Sequence, residues 1–118
     1  YRLGLVTDGR NGDAKLDELG LGSHFDAVVC NHPLDLTKQQ REPFERVTAR
    51  LDIDHDETVY VGDYPRCDFA VPNRLGAGTV RLSRGRYTDH VPLSSAAVPD
   101  AEIDRLAELP TLLDADVW

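Results

Sequence analysis

The sequence predicts an α/β fold: an open parallel sheet flanked by helices. Three observations carry that expectation. Short apolar runs alternate with stretches of helical periodicity, the pattern of parallel strands joined by right-handed helical crossovers. Several of those runs stop abruptly at polar turns, at Thr7-Asp8-Gly9, Asn31-His32-Pro33 and Gly62-Asp63. The 118 residues suffice for one such domain and are few for two separate cores.

Taken in order, Leu3–Val6 is the first expected strand, ended by Thr7-Asp8-Gly9-Arg10. Asp13–Leu19 reads as a short helix with Ala14, Leu16 and Leu19 apolar and Gly20 as its stop. Phe25–Cys30 is the second strand. Glu42–Leu51 carries Phe44, Val47 and Leu51 at i, i+3 and i+7, an amphipathic helix. Thr58–Val61 is the third strand. Asp68–Leu75 reads as a helix, with Pro72 near its start and Gly76 past its end. Thr79–Leu82 is the fourth strand. Ser83–Pro99, with Gly85, two prolines and three serines, reads as loop, and a last helix is expected over about Asp104–Leu109, followed by Pro110.

Composition narrows the function classes. The net charge of −8 argues against nucleic-acid binding through a basic surface. No apolar run approaches the roughly 20 residues of a membrane helix, and no secretory leader is seen, so a cytoplasmic protein is expected. The chain opens directly on an apolar run without Met, which reads as a piece of a longer protein. Acids are mostly Asp, and Lys15 and Lys38 are the only lysines; the pattern fits a halophilic protein and equally a GC-rich genome. Cys30 and Cys67 lack CxxC spacing and are expected as free thiols; Cys30 and His32 lack a second pair to complete a zinc set.

Chemistry concentrates at the expected strand ends, where open α/β sheets bind ligands. Asp63 follows the third strand and Asp68 lies five residues on. Two hard oxygen ligands so placed suit Mg²⁺, which takes one or two carboxylates plus water and phosphate oxygens; a solvated Asp turn is the plainer alternative. Thr7, with the backbone amides around Asp8 and Gly9, offers a hydroxyl and N–H donors suited to a phosphate oxygen, though a bare Thr-Asp-Gly turn needs no ligand. Lys38, just before the Glu42–Leu51 helix, is either a phosphate-neutralising ammonium or a solvated loop lysine.

The order of these features resembles the haloacid dehalogenase-like hydrolase superfamily. Thr7, Lys38 and the Gly62-Asp63-x-x-x-x-Asp68 run look like its second, third and fourth motifs. Similar wording surrounds them: Leu-Val-Thr-Asp-Gly-Arg (5–10), Lys-Leu-x-x-Leu-Gly-Leu (15–21), Phe-Asp-Ala-Val-Val (25–29), Glu-Pro-Phe-Glu (42–45) and Leu-Gly-Ala-Gly-Thr-Val-Arg-Leu (75–82). The resemblance covers roughly residues 1–87, with a weaker echo in Asp104-Arg-Leu-Ala-Glu-Leu-Pro. It implies a Rossmann-like sheet and Mg²⁺-dependent phosphoryl transfer from a small phosphorylated substrate through an aspartyl-phosphate. Thr7 would hydrogen-bond the phosphoryl group, with Asp8 and Gly9 beside it. Lys38 would balance phosphate charge. Asp63 would hold the metal, and Asp68 would complete its shell or orient Lys38.

The resemblance also defines what is missing. The family's first motif, Asp-x-Asp after an N-terminal strand, supplies the nucleophile and general acid. Asp52-Ile-Asp54 precedes a strand, Asp114-Ala-Asp116 follows a helical stretch, and Asp8 adjoins the second-motif Thr7; none fits. Gln39 and Gln40 stand where the family favours prolines, which leaves Arg41 as an alternative cation, and Tyr64-Pro65 replaces a small polar residue. The sheet is expected to lack the family's central first strand. Its open edges would invite self-association or a completing N-terminal segment. The isolated chain is expected to be inactive and the cap that selects substrate to lie outside it. A non-catalytic phosphate- or Mg²⁺-binding or assembly protein of the same fold, and a response-regulator-like receiver domain, are the competing classes.

Overall fold

The computed structural model describes residues 1–115 and 118, which divide into two compact units, Tyr1–Asp54 and His55–Trp118. The first unit is built on strands β1 (Gly4–Thr7) and β2 (Ala27–Cys30). They run parallel in the register Leu5↔Val28 and Thr7↔Cys30. Val6, Ala27 and Val29 turn inward with Leu16, Phe44 and Leu51. Helix α1 (Gly12–Glu18) joins the strands and presses on β2 so closely that a Cβ at Gly12 would stand 2.8 Å from Cys30 Sγ.

Helix α2 (Glu42–Leu51) matches its expected span. Pro43 fits its first turn, where no intrahelical N–H is lost. Phe44, Thr48 and Leu51 are its buried stripe, and it packs on both strands. The approach to β1 leaves no room for a side chain at Gly4, whose Cβ would lie 2.7 Å from Val47 Cγ2. On the outer face Arg46–Glu42 and Arg41–Glu45 pair at 2.8 and 3.1 Å; such exposed pairs contribute only a few tenths of a kcal/mol. Asp52 ends the helix in the left-handed region at φ 54°. The Asp52-Ile-Asp54 run is therefore a helix terminus and connector, as its place before a strand implied.

The second unit holds three parallel strands in the order β3 (Val59–Gly62), β4 (Gly78–Leu82) and β5 (Ala101–Ile103). Helix α3 (Ala70–Leu75) lies on β4, and Phe69, Val71, Val80, Ala97 and Ile103 form the core. Among the described residues β1 pairs only with β2, and β3 only with β4, so each of these strands keeps an open ladder edge.

Four boundaries depart from expectation for physical reasons. Strand β5 lies between the expected loop and the expected last helix and carries no sequence signal, because its three residues have an exposed Glu102 at their centre. Pairing with β4 defines it, together with Asp100, whose Oδ2 accepts the Thr79 N–H at 2.9 Å. Helix α3 begins at Ala70 instead of Asp68, because the Asp68 carboxylate is spent on the turn before it. The helix expected over Asp104–Leu109 is a 3-10 turn (Leu106–Glu108). Glu108 Oε2 folds back to accept the N–H groups of Asp104 and Arg105, both at 2.8 Å. Pro110 then sits in the first turn of α4 (Leu109–Leu113) instead of after the last helix. Asp114 caps that helix, and Asp116, the other acid of that rejected pair, is outside the described residues. No helix among the described residues is long and apolar enough to cross a membrane.

Candidate active site

Each unit carries part of the expected constellation at the carboxyl end of a strand. In the first, Thr7 closes β1 half-buried, and its Oγ1 accepts the Gly9 N–H at 3.0 Å. With an acceptor lone pair so used, the hydroxyl proton is directed elsewhere, and a hydroxyl has one proton to donate. Gly9 contributes by shaping the turn, since its own N–H is turned onto Thr7.

Asp8 works through its side chain. Its Oδ1 accepts Asn31 Nδ2–H at 2.8 Å and the Lys38 backbone N–H at 3.0 Å. Asn31 is fully buried directly after β2. Its own N–H donates to the Thr7 carbonyl at 2.9 Å, and its carbonyl accepts from Leu34 and Leu36, both at 3.1 Å. Lys38 itself lies in a turn, half-buried. The Gln residues standing in place of proline hold that turn: Gln40 Oε1 accepts the Thr37 N–H at 2.8 Å and the Gln39 N–H reaches Thr37 Oγ1 at 3.3 Å. Arg41, the alternative cation, is exposed and paired with Glu45.

In the second unit β3 ends at Gly62, and Asp63 follows half-buried. Asp68 is 1% exposed. Its Oδ2 accepts the N–H groups of Asp63 at 3.0 Å and Tyr64 at 2.9 Å. Two N–H bonds to a carboxylate are charge-assisted and strong. Gly62 is required by this closure: a Cβ there would meet Asp68 Oδ2 at 2.6 Å and its Cγ at 2.9 Å. The five-residue spacing from Asp63 to Asp68 therefore makes a closed turn that fixes the first acid by means of the second. All the donor atoms offered by this pair are carboxylate oxygens, the hard set that fits Mg²⁺.

One group of the second unit was not singled out from sequence. Arg81, paired with Gly62 in the β-ladder, is 8% exposed. Its guanidinium donates to the carbonyls of Tyr87, Thr88 and His90 at 3.1, 3.1 and 2.9 Å. Tyr87 stacks on Tyr64 with centroids 4.2 Å apart, and His90 meets both rings edge-on. This explains Tyr64 beside Asp63, where the family favours a small polar residue: its ring anchors the 84–90 segment. The available signal was an arginine within an apolar strand, Thr79-Val-Arg-Leu. Asn31 had a comparable one, an amide directly after a strand.

Cys30 and His32 line a cleft of about 310 Å³ with Asn11, Asp13 and Pro33. Among the described residues they gather no third ligand at metal-binding distance. Burial, and then the charge of Asp13, pushes the Cys30 thiol up from its ordinary range. A raised thiol is a poor nucleophile at neutral pH.

Parallel strands flanked by helices place the chain in the Rossmann-like α/β class. The chain belongs to the haloacid dehalogenase-like hydrolase family, whose model matches residues 1–81. It is 39% identical over 111 residues to a glyceraldehyde 3-phosphate phosphatase of Methanopyrus kandleri, covering 92% of this chain and 48% of that protein. The protein of the same name from Methanocaldococcus jannaschii is 34% identical over 110 residues, covering 92% and 47%. A haloacid dehalogenase-type phosphatase structure from Thermococcus onnurineus superposes with a TM-score of 0.82 at 28% identity, covering 100% of this chain and 53% of that one. The chain thus spans about half the length of the curated relatives it matches.

Proposed function

We propose that the protein carrying this chain is a Mg²⁺-dependent phosphatase acting on a small phosphorylated metabolite, and that residues 1–118 are the part of its core domain after the first motif. The observation that carries this reading is the turn from Gly62 to Asp68, in which a buried carboxylate clamps the backbone of Asp63 at a strand end. Asp63 would hold the metal directly. Asp68 would complete the site chiefly by fixing Asp63, and Gly62 makes room for that closure. When bound, Mg²⁺ would neutralise charge on the phosphoryl oxygens and template the reactants.

The remaining work falls to the chain's own donors. Thr7 donates its hydroxyl proton to a phosphoryl oxygen. The backbone at Asp8 and Gly9 shapes the turn that aims it, and Lys38 balances phosphate charge. Such positioning and electrostatic stabilisation make up most of the catalysis of phosphoryl transfer. The names of the relatives support a compact triose phosphate such as glyceraldehyde 3-phosphate as the first substrate to try. A cytoplasmic setting suits such a substrate, and neither nucleic acid nor membrane is part of this reading.

The 118 residues contain no Asp-x-Asp after a strand, so they are proposed to be inactive alone. The open ladder edges of β1 and β3 support a completing segment or self-association. A phosphate-release assay on the complete protein tests the whole. Mg²⁺-dependent release from glyceraldehyde 3-phosphate is expected, falling at least a hundredfold in Asp63→Asn. Release that ignores both Mg²⁺ and Asp63 would sink the reading. On this chain alone, Mg²⁺ is expected to raise the melting temperature of the wild type but not of Asp63→Asn. No response to metal or phosphate would favour the non-catalytic assembly reading.

A further inference from the structure

We infer that Asn31 and the Asp8 carboxylate form a positioning clasp that sets Lys38 for the phosphoryl group; this rests on the reading of Lys38 as the phosphate-balancing cation. Three facts carry it. Asp8 Oδ1 accepts from both Asn31 Nδ2 and the Lys38 backbone N–H, joining residues thirty positions apart in the chain. Asn31 is 0% exposed, yet its Oδ1 has no hydrogen-bond partner. And the Asn31 backbone donates to the Thr7 carbonyl, so one residue ties the hydroxyl turn to the lysine turn.

The orphan oxygen is informative. An unsatisfied buried carbonyl is costly, and an apolar residue of similar shape would avoid the cost. Asn31 is therefore poorly explained as packing. Its amide orientation is fixed by chemistry, because the alternative would face its carbonyl oxygen toward a carboxylate. What the asparagine provides is a donor that leaves Asp8 oriented toward Lys38. Asp8 offers an oxygen acceptor at a defined place, and the Lys38 backbone N–H is the group it captures. With that N–H held, the lysine side chain leaves from a fixed Cα, which reduces the conformational freedom lost when it meets an anion. Both Asp8 and Asn31 act through Lys38, and neither needs to touch substrate.

The test uses the complete protein that carries this chain, ¹⁵N-labelled, with inorganic phosphate as the probe. Amide exchange at Lys38 reads the clasp, and the phosphate titration reads its use. Asp8→Ala and Asn31→Leu are each expected to speed Lys38 amide exchange about tenfold and to weaken phosphate binding about tenfold, the scale of one charge-assisted hydrogen bond. Asp8→Asn keeps an oxygen acceptor and is expected to retain slow Lys38 exchange, which separates loss of the clasp from general damage to the fold. Faster exchange with unchanged phosphate affinity would make the clasp merely structural and overturn the inference. So would unchanged exchange in both variants. Lys38→Ala separates the levels: phosphate binding that falls in Lys38→Ala but not in Asp8→Ala overturns the clasp alone. A wild-type protein indifferent to phosphate overturns the catalytic reading of Lys38 and the clasp with it.

Discussion

The acidic turn of the second unit and the lysine turn of the first solve the same problem in different ways. In each, a carboxylate oxygen accepts the backbone N–H of a candidate site residue at 3.0 Å: Asp68 holds Asp63, and Asp8 holds Lys38. Asp68 is five residues away and almost wholly buried, while Asp8 is thirty residues away and exposed. The first device is local and bound into the core beneath it. The second depends on β1 and β2 already lying in register, and water competes for it. The comparison teaches that the same hydrogen bond is secured by burial where it closes a short turn and by strand register where it joins distant residues.

Substitutions should separate the two. The largest effect is expected for Asp68→Ala, which strands two N–H donors around a buried site: about 3 kcal/mol of stability lost in urea unfolding. A loss below about 1 kcal/mol would mean the clamp is not structural. Arg81→Met should follow, at about 2 kcal/mol, since it releases three carbonyls of the 84–90 segment. The same unfolding curves read it, and faster proteolysis within 84–92 should accompany it. Asp8→Ala should cost about 1–2 kcal/mol: water replaces the exposed acceptor at Lys38, but the Nδ2–H of fully buried Asn31 loses its partner. A loss as large as that of Asp68→Ala would erase the proposed contrast.

The smallest effect concerns Cys30. Because burial and Asp13 raise its thiol above the ordinary value, less thiolate exists at a given pH, and reactivity should rise only at more alkaline pH than for a free cysteine. Iodoacetamide labelling against pH checks the sign. Asp13→Asn should move the curve toward lower pH, because it removes the nearby negative charge. Labelling of Cys30 at the rate of an unperturbed thiol would contradict the raised value.

Legibility in the sequence followed the range of the interactions. Helix α2 is legible over its whole span, because Phe44, Val47 and Leu51 repeat at i, i+3 and i+7. Thr7, Asp63 and Asp68 were legible because strand ends stand out as apolar runs that stop. Strand β5 was not, since three residues carry no period and its partner lies some twenty positions earlier. The start of α3 was placed too early because a carboxylate that closes a turn looks, in sequence, like one that begins a helix.

The sequence by itself determined the alternation of strands and helices, the identity of the family, and the residue types offered at the strand ends. Those are local properties, set by periodicity and by where polar residues interrupt apolar runs. The tertiary structure alone decided that Asp8 faces Lys38 and Asn31, that Arg81 is buried against three carbonyls, and that Tyr64 stacks on Tyr87. Each of these joins residues with no periodic relation in the chain. Strand register and burial choose such partners: once water is excluded, every polar group must find one within about 3 Å or incur its desolvation cost.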